Sequence, residues 1–125
     1  MATQLLIIED DPDVSDALAS VLREEGYEVV TAANGLEGLQ QLRGGTPPSL
    51  ILLDLMMPVM DGYRFRAEQL RDPTLAAVPV LVLTAGIADA RMDTLGAAGA
   101  LHKPIDLDVL LSAVRAHCLP GLGSA

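Results

Sequence analysis

The sequence predicts an α/β fold: a doubly wound, flavodoxin-like three-layer sandwich around a five-stranded parallel sheet of strand order 2-1-3-4-5. Three observations carry that prediction. Leu5-Leu6-Ile7-Ile8, Leu50-Ile51-Leu52-Leu53 and Val80-Leu81-Val82-Leu83 are continuous apolar runs, the pattern of strands covered on both faces. Two weaker runs, Tyr27 to Ala32 and Ala100-Leu101-His102, carry polar residues and suit the edges of a sheet. Helical patterns separate all five, and right-handed crossovers between parallel strands then put helices on both faces. Three interior and two edge strands match the order in which strands 1, 3 and 4 lie inside.

The helices follow in chain order. Asp11 is placed to cap the first, with Pro12 at its first position, a stripe of Val14, Ala17, Leu18, Val21 and Leu22, and Gly26 as its stop. Asn34, with Glu37 three residues on, starts the second, which carries Leu36, Leu39 and Leu42 up to Gly44-Gly45. A third runs from Asp61-Gly62 to Arg71, ahead of Asp72-Pro73. A fourth is expected over Ala88 to Leu95. The last follows Asp106 with Leu107, Leu110, Leu111 and Val114.

A chain of 125 residues, half of them apolar, is sized for one domain with a core that needs no staples. We expect that domain over residues 1–118, with 119–125 a short tail and no effector domain. With no Trp, two Tyr and one Phe, the core must be aliphatic. Seventeen acids against eight Lys plus Arg give a charge of −9, which repels phosphate backbones and anionic lipid. Direct nucleic-acid or membrane binding is therefore not expected. No run approaches the roughly 18 apolar residues of a membrane span. The start lacks the basic residues of a signal peptide, and Cys118 has no partner for an internal disulfide. A reduced, cytoplasmic setting is the expectation.

Polar groups collect where the apolar runs stop. Glu9 and Asp10 end the first strand, Asp54 the third, Thr84 the fourth and Lys103 the fifth. In such a sheet these ends converge on the switch point between strands 1 and 3, where ligands bind. Any one polar residue could simply end a strand. Three carboxylates together repel one another by several kcal/mol unless a cation relieves them. Few oxygen ligands with room for water describe Mg²⁺ better than a calcium cage.

The stretches Leu5-Leu6-Ile7-Ile8-Glu9-Asp10-Asp11, Asp54-Leu55-Met56-Met57-Pro58-Val59-Met60-Asp61-Gly62, Thr84-Ala85 and Lys103-Pro104 resemble the receiver domain of two-component response regulators. The likeness spans nearly the whole chain. It implies that Asp54 takes a phosphoryl group from a histidine kinase or phosphotransfer domain, and that protein contacts then change. It implies Mg²⁺, with Mn²⁺ able to substitute, held by Asp10, Asp54 and the backbone carbonyl of Met56, with Glu9 acting through water. Lys103 would pair with Asp54 and then with a phosphoryl oxygen, the Thr84 hydroxyl would bond another, and the Lys103-Pro104 bond would be cis. The partners implied are that phosphodonor and a downstream protein, the chain itself being a monomer or weak dimer.

Other residues have plainer readings. Asp11 is read as a helix cap rather than a ligand, and Asp61-Gly62 as turn and cap. Met56, Met57 and Met60 read as packing. His102 and His117 read as surface or strand-end residues, and Cys118 as a small residue without a redox role.

Two positions depart from the family. Three residues before the lysine, where an aromatic ring usually swings inward on phosphorylation, stands Ala100; after Pro104, where Phe is usual, stands Ile105. The stretch from Thr84 to Lys103 is also shorter than usual by about three residues, close to one helical turn. Activation is therefore expected to work mainly through movement of the loop from Ala85 to Ala88 and the short helix it leads into. Competing readings fare worse. A phosphohydrolase using an aspartyl phosphate places a second acid where Met56 stands. A flavin carrier needs a Ser/Thr/Gly-rich phosphate loop after the first strand. A phosphorylation-independent receiver is opposed by the intact Asp10, Asp54, Thr84 and Lys103.

Overall fold

The computed structural model describes residues 3–85 and 95–118. The elements run β1 (Gln4–Ile8), α1 (Pro12–Glu24), β2 (Glu28–Ala32), α2 (Gly35–Arg43), β3 (Leu50–Asp54), α3 (Gly62–Arg71), β4 (Val80–Thr84), β5 (Gly99–His102) and α4 (Leu107–His117). All neighbouring strands are parallel, in the order β2-β1-β3-β4-β5. The expected topology is the observed one. The helix expected over Ala88 to Leu95 and the loop from Ala85 to Ala88 lie, save Ala85 and Leu95, outside the described residues, as does the tail.

Strand alternation divides the interior into two cores. Leu6, Ile8, Ile51, Leu53, Val80 and Val82 face Leu39 and Leu42 of α2 and Phe65 of α3. Leu5, Ile7, Leu50, Leu52, Leu81 and Leu83 face Leu18, Ala19 and Leu22 of α1 and Leu110 and Val114 of α4. Every residue of β3 and β4 is buried, which is why their sequences read as unbroken apolar runs. Phe65 is the largest fully buried side chain, and cutting it to Ala would cost about 3–5 kcal/mol.

Caps fix where the helices begin. Asp11 Oδ1 accepts from the Asp13 N–H at 2.9 Å, and Asp106 Oδ1 from Asp108 and Val109 at 2.9 and 3.1 Å. Asn34 and Glu37 act reciprocally: Asn34 Oδ1 accepts from the Glu37 N–H, while Glu37 Oε1 accepts from the Ala33 N–H. Gly26 closes α1 in the left-handed region at φ +96°.

The apolar stripes needed correction. Ala17, Leu36 and Leu107, expected on buried faces, are exposed. Small residues take buried places instead: Ser15 and Ala19 on α1, and on α2 Gly38 against the sheet and Gly35 against Met60. A Cβ on Gly38 would meet Ile8 Cδ1 at 2.5 Å, so α2 sits too close to the sheet for a side chain there. The polar face of α3 also surprises. Arg66 and Gln69 are buried beneath it, the guanidinium donating to the carbonyls of Leu95 and Gly96 and to Gln69 Oε1.

Candidate functional site

Sheet register brings the expected residues to one edge. Ile8 pairs with Leu53, so Glu9 and Asp54 follow at the same level on adjacent strands; Asp54 in turn pairs with Leu83, one residue before Thr84. One carboxylate oxygen from each of Glu9, Asp10 and Asp54 lies within 4.8 Å of the others. Glu9 and Asp54 are buried at 2% and 4% exposure, while Asp10 faces solvent. Lys103 follows β5, its N–H donating to the Thr84 carbonyl at 2.7 Å. The Lys103-Pro104 peptide bond is cis.

The lysine divides its charge unevenly. Its Nζ lies 2.5 Å from Glu9 Oε1 and 3.5 Å from Asp54 Oδ2. Sequence reasoning gave the ammonium to Asp54 and gave Glu9 a role through water; here the closer contact is with Glu9. The physical reason is burial, since the Glu9 carboxylate is fully enclosed and needs a charge at contact distance. That contact is poorly aligned, and among the described residues Glu9 Oε1 is held chiefly by charge. Glu9 Oε2 accepts from the Asp11 N–H at 3.1 Å.

Electrostatics follow from this crowding. Burial pushes Asp54 up to about 7, helped by the charge of Glu9 and by hydrogen bonds to Glu9 and Asp10, with Lys103 pulling the other way. Burial acts upward on Asp10 too, but hydrogen bonds to Asp54 and Glu9 hold it below its ordinary value. Lys103 loses solvent, which lowers an ammonium, yet its contacts with Glu9 and Asp54 leave it raised. A group of three carboxylates with one ammonium, one acid pushed toward neutrality and one buried oxygen poorly bonded, suits a divalent cation. An adjoining cleft of about 140 Å³ is lined by Glu9, Asp10, Ser15 and Asp16.

The loop after β3 aims this edge. Met56 N–H donates to Asp54 Oδ1 at 3.3 Å, while the residue as a whole is 73% exposed. Met57 and Met60 pack against the core as expected, but Met56 does not. A feature that sequence reasoning missed follows: Met60 N–H bonds the Pro58 carbonyl at 2.7 Å around Val59, whose φ is +68°. This is a tight γ-turn of the strained kind, and a β-branched residue is poorly suited to it. Valine carries no sequence signal for that conformation. Gly62 closes the loop, for a Cβ there would meet the Asp54 carbonyl oxygen at 2.5 Å.

The residues with plainer readings sit as follows. Asp11 caps α1, and Asp61 Oδ1 caps α3 by accepting from the Arg64 N–H at 2.8 Å. Ala100 is exposed on β5, and Ile105 packs partly against the core. His102 is exposed, and the half-buried Cys118 thiol is pushed up to about 11 by burial. No helix among the described residues is long and apolar enough to cross a membrane.

Such an edge can hold a cation and present a carboxylate to an electrophile. Residues 5–115 match the response regulator receiver domain family. The DNA-binding dual master transcriptional regulator RpaA of Synechocystis is 40% identical over 90% of this chain and 48% of its own length. Protein PilH of Pseudomonas aeruginosa is 30% identical over 90% of this chain and 95% of its own. The chain thus spans about half the length of RpaA and of other curated relatives it matches. Chemotaxis protein CheY4 of Vibrio cholerae superposes with a TM-score of 0.87 at 28% identity, covering 94% of this chain and 99% of that one. The signal receiver domain of a histidine kinase from Syntrophus aciditrophicus gives 0.84 at 35% identity, over 92% and 89%. With its sheet order, its acidic edge and a family match over residues 5–115, this chain belongs to the receiver domains of two-component response regulators.

Proposed function

We propose that Asp54 accepts a phosphoryl group from the phosphohistidine of a histidine kinase or phosphotransfer domain, and that the phosphorylated receiver changes its contacts with a downstream protein. One observation carries this reading. Asp54 is a buried carboxylate at the end of a central strand, beside two further carboxylates and 3.5 Å from an ammonium.

The transfer balances simply. An Asp54 oxygen attacks phosphorus, the bond from phosphorus to the donor's imidazole nitrogen breaks, and its electron pair returns to that nitrogen, which then takes a proton. Asp54 reacts as the carboxylate, so the proton that burial favours must leave first. Burial between β1 and β4 holds the acceptor in one orientation for in-line approach. Lys103 moves its charge onto a phosphoryl oxygen, and the Thr84 hydroxyl donates to another. Asp10, Asp54 and the Met56 carbonyl would hold Mg²⁺ or Mn²⁺, with Glu9 acting through water. When bound, the ion supplies the positive charge that offsets a dianionic phosphoryl group. Residues 1–118 form the receiver unit on this reading, a cytoplasmic monomer or weak dimer. Ala100 supplies no aromatic ring, so output must use other contacts.

The test is intact mass after incubation with Mg²⁺ and phosphoramidate. The wild-type chain should gain one phosphoryl group and Asp54→Asn none; equal gain in both would refute the assignment.

A further inference from the structure

By its own sequence β5 is poorly anchored. Gly99-Ala100-Leu101-His102 lies at the sheet edge against β4 and buries one large side chain, Leu101. A strand with a single buried anchor specifies its register weakly, and a slip of one residue turns its side chains to the opposite face. Yet the next residue, Lys103, must arrive with its ammonium beside both Glu9 and Asp54.

A contact that could fix the register lies upstream of the strand. Arg66 of α3 donates from Nε to the Leu95 carbonyl at 2.8 Å and from Nη2 to the Gly96 carbonyl at 3.1 Å. Its Nη1 donates to Gln69 Oε1 at 2.7 Å, and Gln69 is itself held by donating to the Leu75 and Val78 carbonyls, both at 3.0 Å. Gly96 adopts φ +61°, and two residues on, the Ala98 N–H bonds the Val80 carbonyl at 2.9 Å, just ahead of β5. A planar guanidinium gripping two successive carbonyls sets both the place and the direction of the chain.

Stability alone does not explain this arrangement. Arg66 is 6% exposed, and its three acceptors among the described residues are neutral, two carbonyls and an amide oxygen. Burying a guanidinium against neutral partners costs desolvation, which hydrogen bonds to neutral acceptors offset only in part. An apolar side chain would not supply direction. We infer that Arg66 is a positioning residue for Lys103: its fork fixes where the chain re-enters the sheet, and so the β5 register that delivers the ammonium to the phosphoryl site. The inference rests on the role given above to Lys103, and its test separates the two.

Amide exchange followed by NMR reads the register, and labelling by phosphoramidate with Mg²⁺ reads its consequence. In Arg66→Leu the amides of Ala98 and Lys103 should exchange roughly tenfold faster or more, while those of β1 and β3 stay as in wild type. The initial rate of labelling should fall by about tenfold. Arg66→Lys keeps the charge without the fork and should not restore either readout. Unchanged protection at Ala98 and Lys103 would overturn the inference. So would equally faster exchange in all five strands, which would make Arg66 a residue of core stability alone. Should Arg66→Leu fail to fold, Arg66→Gln carries the same comparison. A wild-type chain that takes no phosphoryl group would refute the acceptor role of Asp54, while the exchange pattern would still decide the role of Arg66.

Discussion

Two buried polar clusters lie in this sheet's layers, and they are built on opposite terms. At the carboxyl edge, Glu9, Asp10 and Asp54 share one ammonium, and one Glu9 oxygen lacks an aligned hydrogen bond. Beneath α3, the donors of Arg66 and Gln69 meet carbonyl or amide acceptors at 2.7 to 3.1 Å. A protein can keep a satisfied network simply to fix geometry. An excess of one charge sign in a buried place is costly, and it is retained where a ligand completes it. The contrast therefore separates a site that awaits charge from a network in which each polar side-chain atom already has a partner.

The sharpest way to break this comparison is to remove the ammonium. Lys103→Ala leaves three carboxylates together and should cost about 3 kcal/mol in the metal-free protein, much of it recovered with Mg²⁺ in thermal melts. No recovery on adding Mg²⁺ would mean that the edge does not take the ion.

Asp54→Asn should move stability the other way. Folded Asp54 keeps its proton up to about 7, whereas the unfolded group loses it near 3.8. Between those values the folded chain binds more protons, so metal-free stability falls as pH rises through the window. Asp10, held below its ordinary value, contributes stability that is lost only as pH falls, and the raised Lys103 contributes stability lost only at alkaline pH. Neither cancels the Asp54 trend. Asn at this position should therefore raise stability by about 1–3 kcal/mol above pH 7 and change little below 3.8. Parallel melting curves for both proteins across that range would contradict it.

Smaller effects sharpen the edges of the comparison. Val59→Gly relieves a β-branched residue held at positive φ and should stabilise by about 1 kcal/mol in denaturant titrations. Asp11→Ala removes a cap and should cost about 1 kcal/mol, with the response to Mg²⁺ unchanged. A lost metal response there would move Asp11 into the acidic site.

Much of this molecule could be read before folding. The runs at β1, β3 and β4 announced themselves because both faces are covered, and Glu9, Asp54 and Thr84 stood out as the polar residues that stop such runs. Helical periodicity gave the right faces only approximately. Ala17, Leu36 and Leu107 were assigned inward, whereas close approach to the sheet favours Ser15, Ala19 and Gly38. Arg66 and Gln69 were illegible for a different reason. A polar residue on a helix reads as solvated, and only the carbonyls arriving from distant segments make burial tolerable. The preference of Lys103 for Glu9 was equally hidden, because it depends on which carboxylate is more deeply enclosed.

Calorimetric titration with Mg²⁺ near pH 7, repeated in buffers of different ionisation enthalpy, tests the account of the acidic edge most directly. One ion per chain should bind, with protons released because the ion displaces the proton that burial keeps on Asp54, and Asp10→Ala should abolish the heat. Binding that releases no proton, or that survives Asp10→Ala unchanged, would contradict the account.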